Sequence, residues 1–316
     1  MGFWSALVLH CLAAGPAAAA PEVVASIKPV HSLVAGVMRG LGTPVLLIGG
    51  VGSPHGYSLR PSEARALSEA ELVFWIGGGL EASLAKPLTA LAGDRARVIA
   101  LAEAEGVRLL QARAGGPWEV PEEAHDHGTD TGVHDAGKQA DFHIWLDPLN
   151  AIAIVRAAAT ALARADPKNA AVYRRNGTDT IKEIEALDRE IAGTLAPVRE
   201  RPYVVFHDAY QYLEKRYHLN AVGAVAASPE RPPGARRLSE IRAKIAALGA
   251  VCVFTEPQFR PALVDTVVAG SAAQSAVLDP LGAGLAAGPG AYFALMRGLA
   301  DSLVGCLSPE GYTKGP

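Results

Sequence analysis

The sequence predicts an α/β protein of two lobes, each built on a mainly parallel sheet flanked by helices. Three observations predict it. Short apolar runs rich in β-branched residues alternate with amphipathic stretches along the chain. The runs are apolar throughout rather than alternating, as strands covered on both faces are. They fall into two successive sets, separated by a proline-free segment of helical period from about Lys168 to Pro197.

At 316 residues the chain is long enough for two domains, each with its own core. Half of it is apolar, 19% is charged, and the formal net charge is −3 with Lys and Arg scattered. That balance is globular rather than disordered. It gives no support to nucleic-acid binding or to polybasic membrane binding.

The first element is MGFWSALVLHCLAAGPAAAA, residues 1–20, which has no charged side chain and ends in an alanine run with A-x-A sites. It is expected to be a secretory signal cleaved near Ala20, too short for a comfortable membrane span. The alternatives are an apolar helix that stays on, or a lipid-modified Cys11, although His10 stands where a small residue belongs. No later stretch is long and apolar enough to span a bilayer. The mature protein is therefore expected to be exported and soluble.

The first set of strand-like runs is VVASI (23–27), VLLIGG (45–50), ELVFWIGG (71–78) and ARVIAL (96–101), with helices predicted over 29–40 and 61–70. Next comes a stretch unlike its surroundings, residues 114–141, rich in Gly, Asp, Glu and His and read as a loop. His125, His127 and His134 lie inside it. His-x-His with interleaved carboxylates can hold Zn²⁺ loosely, so these are candidate accessory ligands, with a plain solvated linker as the alternative.

In the segment 168–197, Ile181, Ile184, Leu187, Ile191 and Leu195 form an apolar stripe at helical spacing. As one helix it reaches roughly 40–45 Å and crosses from lobe to lobe; two ordinary helices within one lobe are the alternative. Gly177 is a weak point in it, worth about 1 kcal/mol relative to alanine. The second set is YVVFHD (203–208), NAVGAVA (220–226), AVCVFTE (250–256) and SAVLDPL (275–281), with helices over 237–248 and 260–272. The expected organisation is a signal at 1–20, a first lobe at 21–167, a linker helix at 168–197 and a second lobe at 198–316. After the signal two cysteines remain, Cys252 and Cys306. In an oxidising compartment the pair reads as a disulfide worth roughly 4 kcal/mol, with metal ligation as the rival.

The chemistry sits at the ends of these runs. His55 follows VLLIGG, His143 lies in DFHIWLDPLNA, His207 ends YVVF and Asp279 ends AVL. Ligands of open α/β sheets gather beyond the carboxyl ends of strands. Three imidazoles and a carboxylate close a tetrahedral shell around a borderline-soft cation, above all Zn²⁺. None belongs to a short two-ligand motif, so only folding brings them together, at the meeting of two lobes. Each histidine also has an ordinary reading as a hydrogen-bonded structural residue, and Asp279 has one as a turn-former before proline. His31 is placed behind the site or at a helix N-terminus. Glu256 and Asp208 also end strands, and either can orient a ligand histidine through its free ring nitrogen.

The series VVASIKPVHSLVAGVM, HGYSLRPSEARAL, AELVFWIGGGLEA, HIWLDPLNA, VVFHDAYQYLEKRY, PGARRLSEI, CVFTEPQFRP and LDPLG resembles one family through nearly the whole mature chain. It is that of the ZnuA-type, zinc-specific solute-binding proteins of bacterial ABC importers, within cluster A-I. The resemblance implies four-stranded lobes joined by a long rigid helix, with a metal bound in the cleft between them. It implies His55, His143 and His207 as ligands, completed by Asp279 or water. It further implies a periplasmic monomer that binds zinc ions, hands them to an integral-membrane ABC permease, and performs no catalysis. Manganese-binding relatives tend to carry Glu at the position of His207, and some zinc-binding ones carry an acidic residue where Pro54 stands. The nearest rival reading is the same architecture carrying manganese or iron. A secreted zinc hydrolase is a second rival, but HExxH is absent.

Overall fold

The first apolar run is β1 (Val23–Ile27), and all its residues are buried. Residues 20–93, 96–113, 118, 140–226, 235–259, 268–269 and 271–308 are described by the structure, a computed structural model. β1 pairs in parallel with β2 (Val45–Ile48) on one side and β3 (Leu72–Trp75) on the other, and β3 pairs with β4 (Arg97–Ala100). The order is β2-β1-β3-β4. A two-stranded antiparallel ribbon, β5 (Leu110–Gln111) with β6 (Ala140–Asp141), follows.

The second half repeats the plan. β7 (Tyr203–Val205) pairs with β8 (Ala221–Ala224) and with β9 (Cys252–Thr255), which pairs with β10 (Gln274–Val277). The order β10-β9-β7-β8 is that of the first sheet read backwards. In both sheets the chain leaves the first strand to one side and returns on the other. The topological switch point therefore lies between first and third strands, β1 with β3 and β7 with β9.

Helices flank both sheets: α1 (Lys28–Val37), α2 (Pro61–Glu69), α3 (Ala82–Pro87), α4 (Pro148–Ala165), α5 (Ala170–Leu195), α6 (Gln211–Tyr217), α7 (Ala235–Leu248) and α8 (Ala291–Leu307). Local chemistry sets their starts. Pro61 and Pro148 open α2 and α4, and the Asp147 carboxylate accepts from Leu149 N at 2.9 Å. α5 is a single helix of 26 residues, about 39 Å long. Its stripe Ile184, Leu187, Ile191 and Leu195 is buried, with Ile181 half-buried. Gly177 is a point of close approach rather than a flaw. A Cβ there would sit 3.1 Å from Ala159 Cβ on α4, so glycine lets the two helices pack tightly.

α8 returns to the first half. Tyr292 N donates to Ser32 Oγ on α1 at 2.8 Å, and Tyr292 Oη donates to the Trp145 carbonyl at 3.0 Å. Farther along α8, Cys306 forms a disulfide with Cys252 of β9, Cα atoms 6.2 Å apart. The main apolar core is continuous across both halves, uniting Val24 and Phe74 with Tyr203, Phe254 and Leu299. A smaller core of Val204, Phe206, Val253 and Ile241 lies apart from it. Among the described residues no helix is long and apolar enough to cross a membrane. The expected signal before Ala20, the loop histidines His125, His127 and His134, and most of the helix expected over 260–272 lie outside the described residues.

Candidate metal site

Each of three histidines is delivered by a short connection just past a strand. His55 sits in a single 3₁₀ turn, Pro54–Gly56, after β2. The next residues are tied to α2 by Glu63, which accepts from Tyr57 Oη and from Arg60 N, both at 2.7 Å. His143 follows β6. The Asp141 carboxylate accepts from its backbone N–H at 3.0 Å and from its ring Nδ1 at 2.8 Å. His207 follows β7, and Glu256 follows the neighbouring β9. At that switch point the Glu256 carboxylate accepts from His207 Nδ1 at 2.6 Å.

These supports fix ring chemistry as well as position. A carboxylate on Nδ1 keeps the proton there and leaves the Nε2 lone pair for the cleft. The Nε2 atoms of His143 and His207 face each other at 3.4 Å, and ligand nitrogens of all three histidines lie within 4.8 Å of one another. His143 and His207 are buried and His55 half-buried. The space at the rings, about 10 Å³, is walled by Pro54, Trp145, Phe259 and Pro280, room for one small sphere.

Burial, followed by the two neighbouring imidazoles, pushes His55 down to about 2, so its ring is neutral and ready to ligate. His207 goes the other way. Burial disfavours its charge, but the carboxylates of Glu256, Asp208 and Asp141, Glu256 foremost, together outweigh burial and raise it above the ordinary histidine range.

The support reaches across both halves. Tyr212 on α6 donates to the Asp141 carbonyl at 2.6 Å and accepts from Leu110 N at 2.9 Å, clamping the ribbon that carries His143. Trp145 packs its ring 5.4 Å from that of His143 and donates Nε1 to the Pro280 carbonyl at 2.8 Å. Phe142 fits only against a glycine, since a Cβ on Gly79 would lie 2.0 Å from its ring.

The structure leaves Asp279 outside this group. Its carboxylate accepts from Leu281 N (3.1 Å), Gly282 N (2.9 Å), Ala283 N (2.5 Å) and Gln258 Nε2 (3.0 Å). The loop so wrapped presents its carbonyls to buried Lys28, which donates to those of Gly282, Ala283 and Leu285. Asp279 thus serves the loop, as an aspartate before proline often does. His31 is also apart from the cluster, donating Nε2 to the Pro44 carbonyl at 2.9 Å. Of the two candidate orienting residues, Glu256 takes the part and Asp208 is committed to Arg113. Asp141 orients His143 and is not among the sequence candidates. Its signal is the spacing D-x-H, from which a short carboxylate reaches the N–H two residues on.

A model of the family "Zinc-uptake complex component A periplasmic" matches residues 23–306. The chain is 45% identical to the high-affinity zinc uptake system protein ZnuA of Brucella suis, over 90% of this chain and 91% of that one. It is 38% identical to the protein of the same name from Yersinia pestis, over 92% of each. A crystal structure of ZnuA superposes with a TM-score of 0.77 at 26% identity, covering 92% of this chain and all of that one.

Proposed function

The chain belongs to the periplasmic zinc-uptake component A family, and from that premise we propose that it captures Zn²⁺ on His55, His143 and His207. It is a zinc-binding, solute-binding protein of a transport system and not an enzyme. The observation that carries the ligand assignment is the convergence of three imidazole nitrogens within 4.8 Å, two of them keyed by buried carboxylates. The cargo ion takes the Nε2 lone pairs of His143 and His207 and the neutral His55 as its third nitrogen. Three nitrogens suit zinc better than manganese, which prefers oxygen. Water fills the fourth position, because the Asp279 oxygens are engaged by the loop.

The same reading makes the protein a periplasmic monomer that hands zinc to an integral-membrane permease of an ATP-driven importer. Its lobes are 21–167 and 198–316, with 168–197 as the helix between them. A core shared by both sheets favours release through small local movements over wide opening of the cleft.

The test is a competitive zinc titration against a calibrated chelator, beside a His207→Ala variant. One tight site that collapses in the variant is the expected result. Tight binding that survives the substitution would move the principal site elsewhere.

A further inference from the structure

The wall beside the three histidines holds a carboxylate that the zinc site does not use. Asp208 follows His207 directly and, with His55 and His143, lines a cavity of about 210 Å³. A half-exposed carboxylate at this place is a natural cation ligand. Its oxygens are instead occupied by one guanidinium. Arg113 Nε lies 3.0 Å from Oδ1 and 2.9 Å from Oδ2, and Nη2 also bonds Oδ1. Nη1 of the same group donates to Glu214 Oε2 at 2.6 Å. The Trp118 ring covers its face, with the centroid 3.4 Å from Cζ.

We propose that Arg113 is a specificity-determining residue: by engaging both oxygens of Asp208 it keeps a protein carboxylate out of the metal shell. The inference rests on the three-histidine zinc site proposed above. With Arg113 in place both Asp208 oxygens are engaged and turned from the three ring nitrogens. Without it, Asp208 is left partly buried in the cavity it shares with His55 and His143, with no other partner of opposite charge among the described residues, and it turns to the metal. That adds an oxygen and a negative charge, which strengthens binding of oxygen-preferring Mn²⁺ more than binding of Zn²⁺. The side chain must be arginine for this work. A planar fork spans two carboxylate oxygens at once, stacks on an indole and does not lose its proton, whereas an ammonium is a single flexible point charge.

A purely structural staple between the halves makes a different forecast. Its loss weakens every metal alike, and the effect does not depend on Asp208. The experiment is therefore competitive titration of Zn²⁺ and Mn²⁺ on the full chain, its Arg113→Gln variant and the Arg113→Gln/Asp208→Asn double variant, with the visible spectrum of bound Co²⁺ as a report on the shell. The ratio of Mn²⁺ to Zn²⁺ dissociation constants is expected to fall about 10- to 100-fold in the single variant and to return in the double. The Co²⁺ bands shift and return in step. An unchanged ratio in the single variant, or a change that persists without the Asp208 carboxylate, overturns the proposal. Should Arg113→Gln not fold, Arg113→Met replaces it in the same comparison, since methionine keeps an apolar stem against Trp118 without the charge or the fork. Failure of the zinc site itself reads out separately, as an unmodified chain whose zinc binding is indifferent to His207→Ala.

Discussion

Replacing Glu256 with glutamine keeps the size of the side chain and one acceptor oxygen but removes its charge. The bond it disturbs is the 2.6 Å contact to His207 Nδ1, made by a carboxylate only 3% exposed. A hydrogen bond to a charged group contributes about 1.5–3 kcal/mol and a neutral one about 0.5–1.5 kcal/mol, so the exchange removes about 1–1.5 kcal/mol. That corresponds to zinc binding weakened about tenfold. Glu256→Ala loses the whole bond and weakens binding about 10- to 100-fold. The same carboxylate raises His207, so the unmodified protein must shed a proton that the glutamine variant no longer holds. The deficit is therefore full on the alkaline side of the raised His207 value, where the ring is neutral in both proteins, and smaller on its acid side, where proton competition burdens the unmodified chain more. Competitive chelator titrations on the two sides of that value read both effects. Equal zinc affinity of Glu256→Gln and the unmodified chain on the alkaline side refutes the assigned role, and a deficit that grows on acidification refutes the proton account.

On the acid side of the raised His207 value zinc binding releases a proton from that ring, and His55, at about 2, contributes none. Affinity thus falls as pH drops below the raised His207 value and levels off above it; calorimetry in buffers of different ionisation enthalpy counts the protons, and a count of zero on the acid side would contradict the assignment. Gly79→Ala forces Phe142 aside, with a clash at 2.0 Å, and through its neighbour His143 speeds zinc release. The overpacking costs about 1–3 kcal/mol in denaturant unfolding, and stopped-flow transfer to a chelator measures the release; unaltered kinetics would uncouple Phe142 from the site. Cys306→Ser lowers stability by about 2–5 kcal/mol under oxidising conditions, and reductant then has no further effect on the variant; equal thermal midpoints with and without reductant in the unmodified protein would count against the bridge.

The sequence made the strands legible because burial on both faces writes an unbroken apolar run, as in VVASI and LVFW. It made His55 and His207 candidates because each stands past such a run, and His143 because it lies just before the helix start marked by Asp147-Pro148. Its limit was set by distance along the chain. Lys28 and the carbonyl of Gly282 are 254 residues apart, and nothing local marks the lysine as the partner of a loop. Without it, Asp279 looked free to ligate. Arg113 and Asp208 are 95 residues apart and equally silent. Asp141 is the reverse case, a contact two residues long that the pattern carried in plain sight. Gly177 read as a helix weakness, because propensity is local and the helix it makes room for is a separate element.

The return of α8 to α1 in the first half sets the order in which the protein can mature. Ser32 meets its partner Tyr292 only after a further 260 residues have been made, and one apolar core runs through both sheets. Chains with two lobes commonly complete the N-terminal one while the rest is still being synthesised. Here the first lobe has no finished core until the last helix arrives, so native structure is deferred to the end of synthesis. Two sheets that look separable on a topology diagram should then melt as one cooperative unit. For a protein carried across a membrane before it folds, as the proposed function requires, that deferral keeps the chain threadable for as long as it is still on its way out.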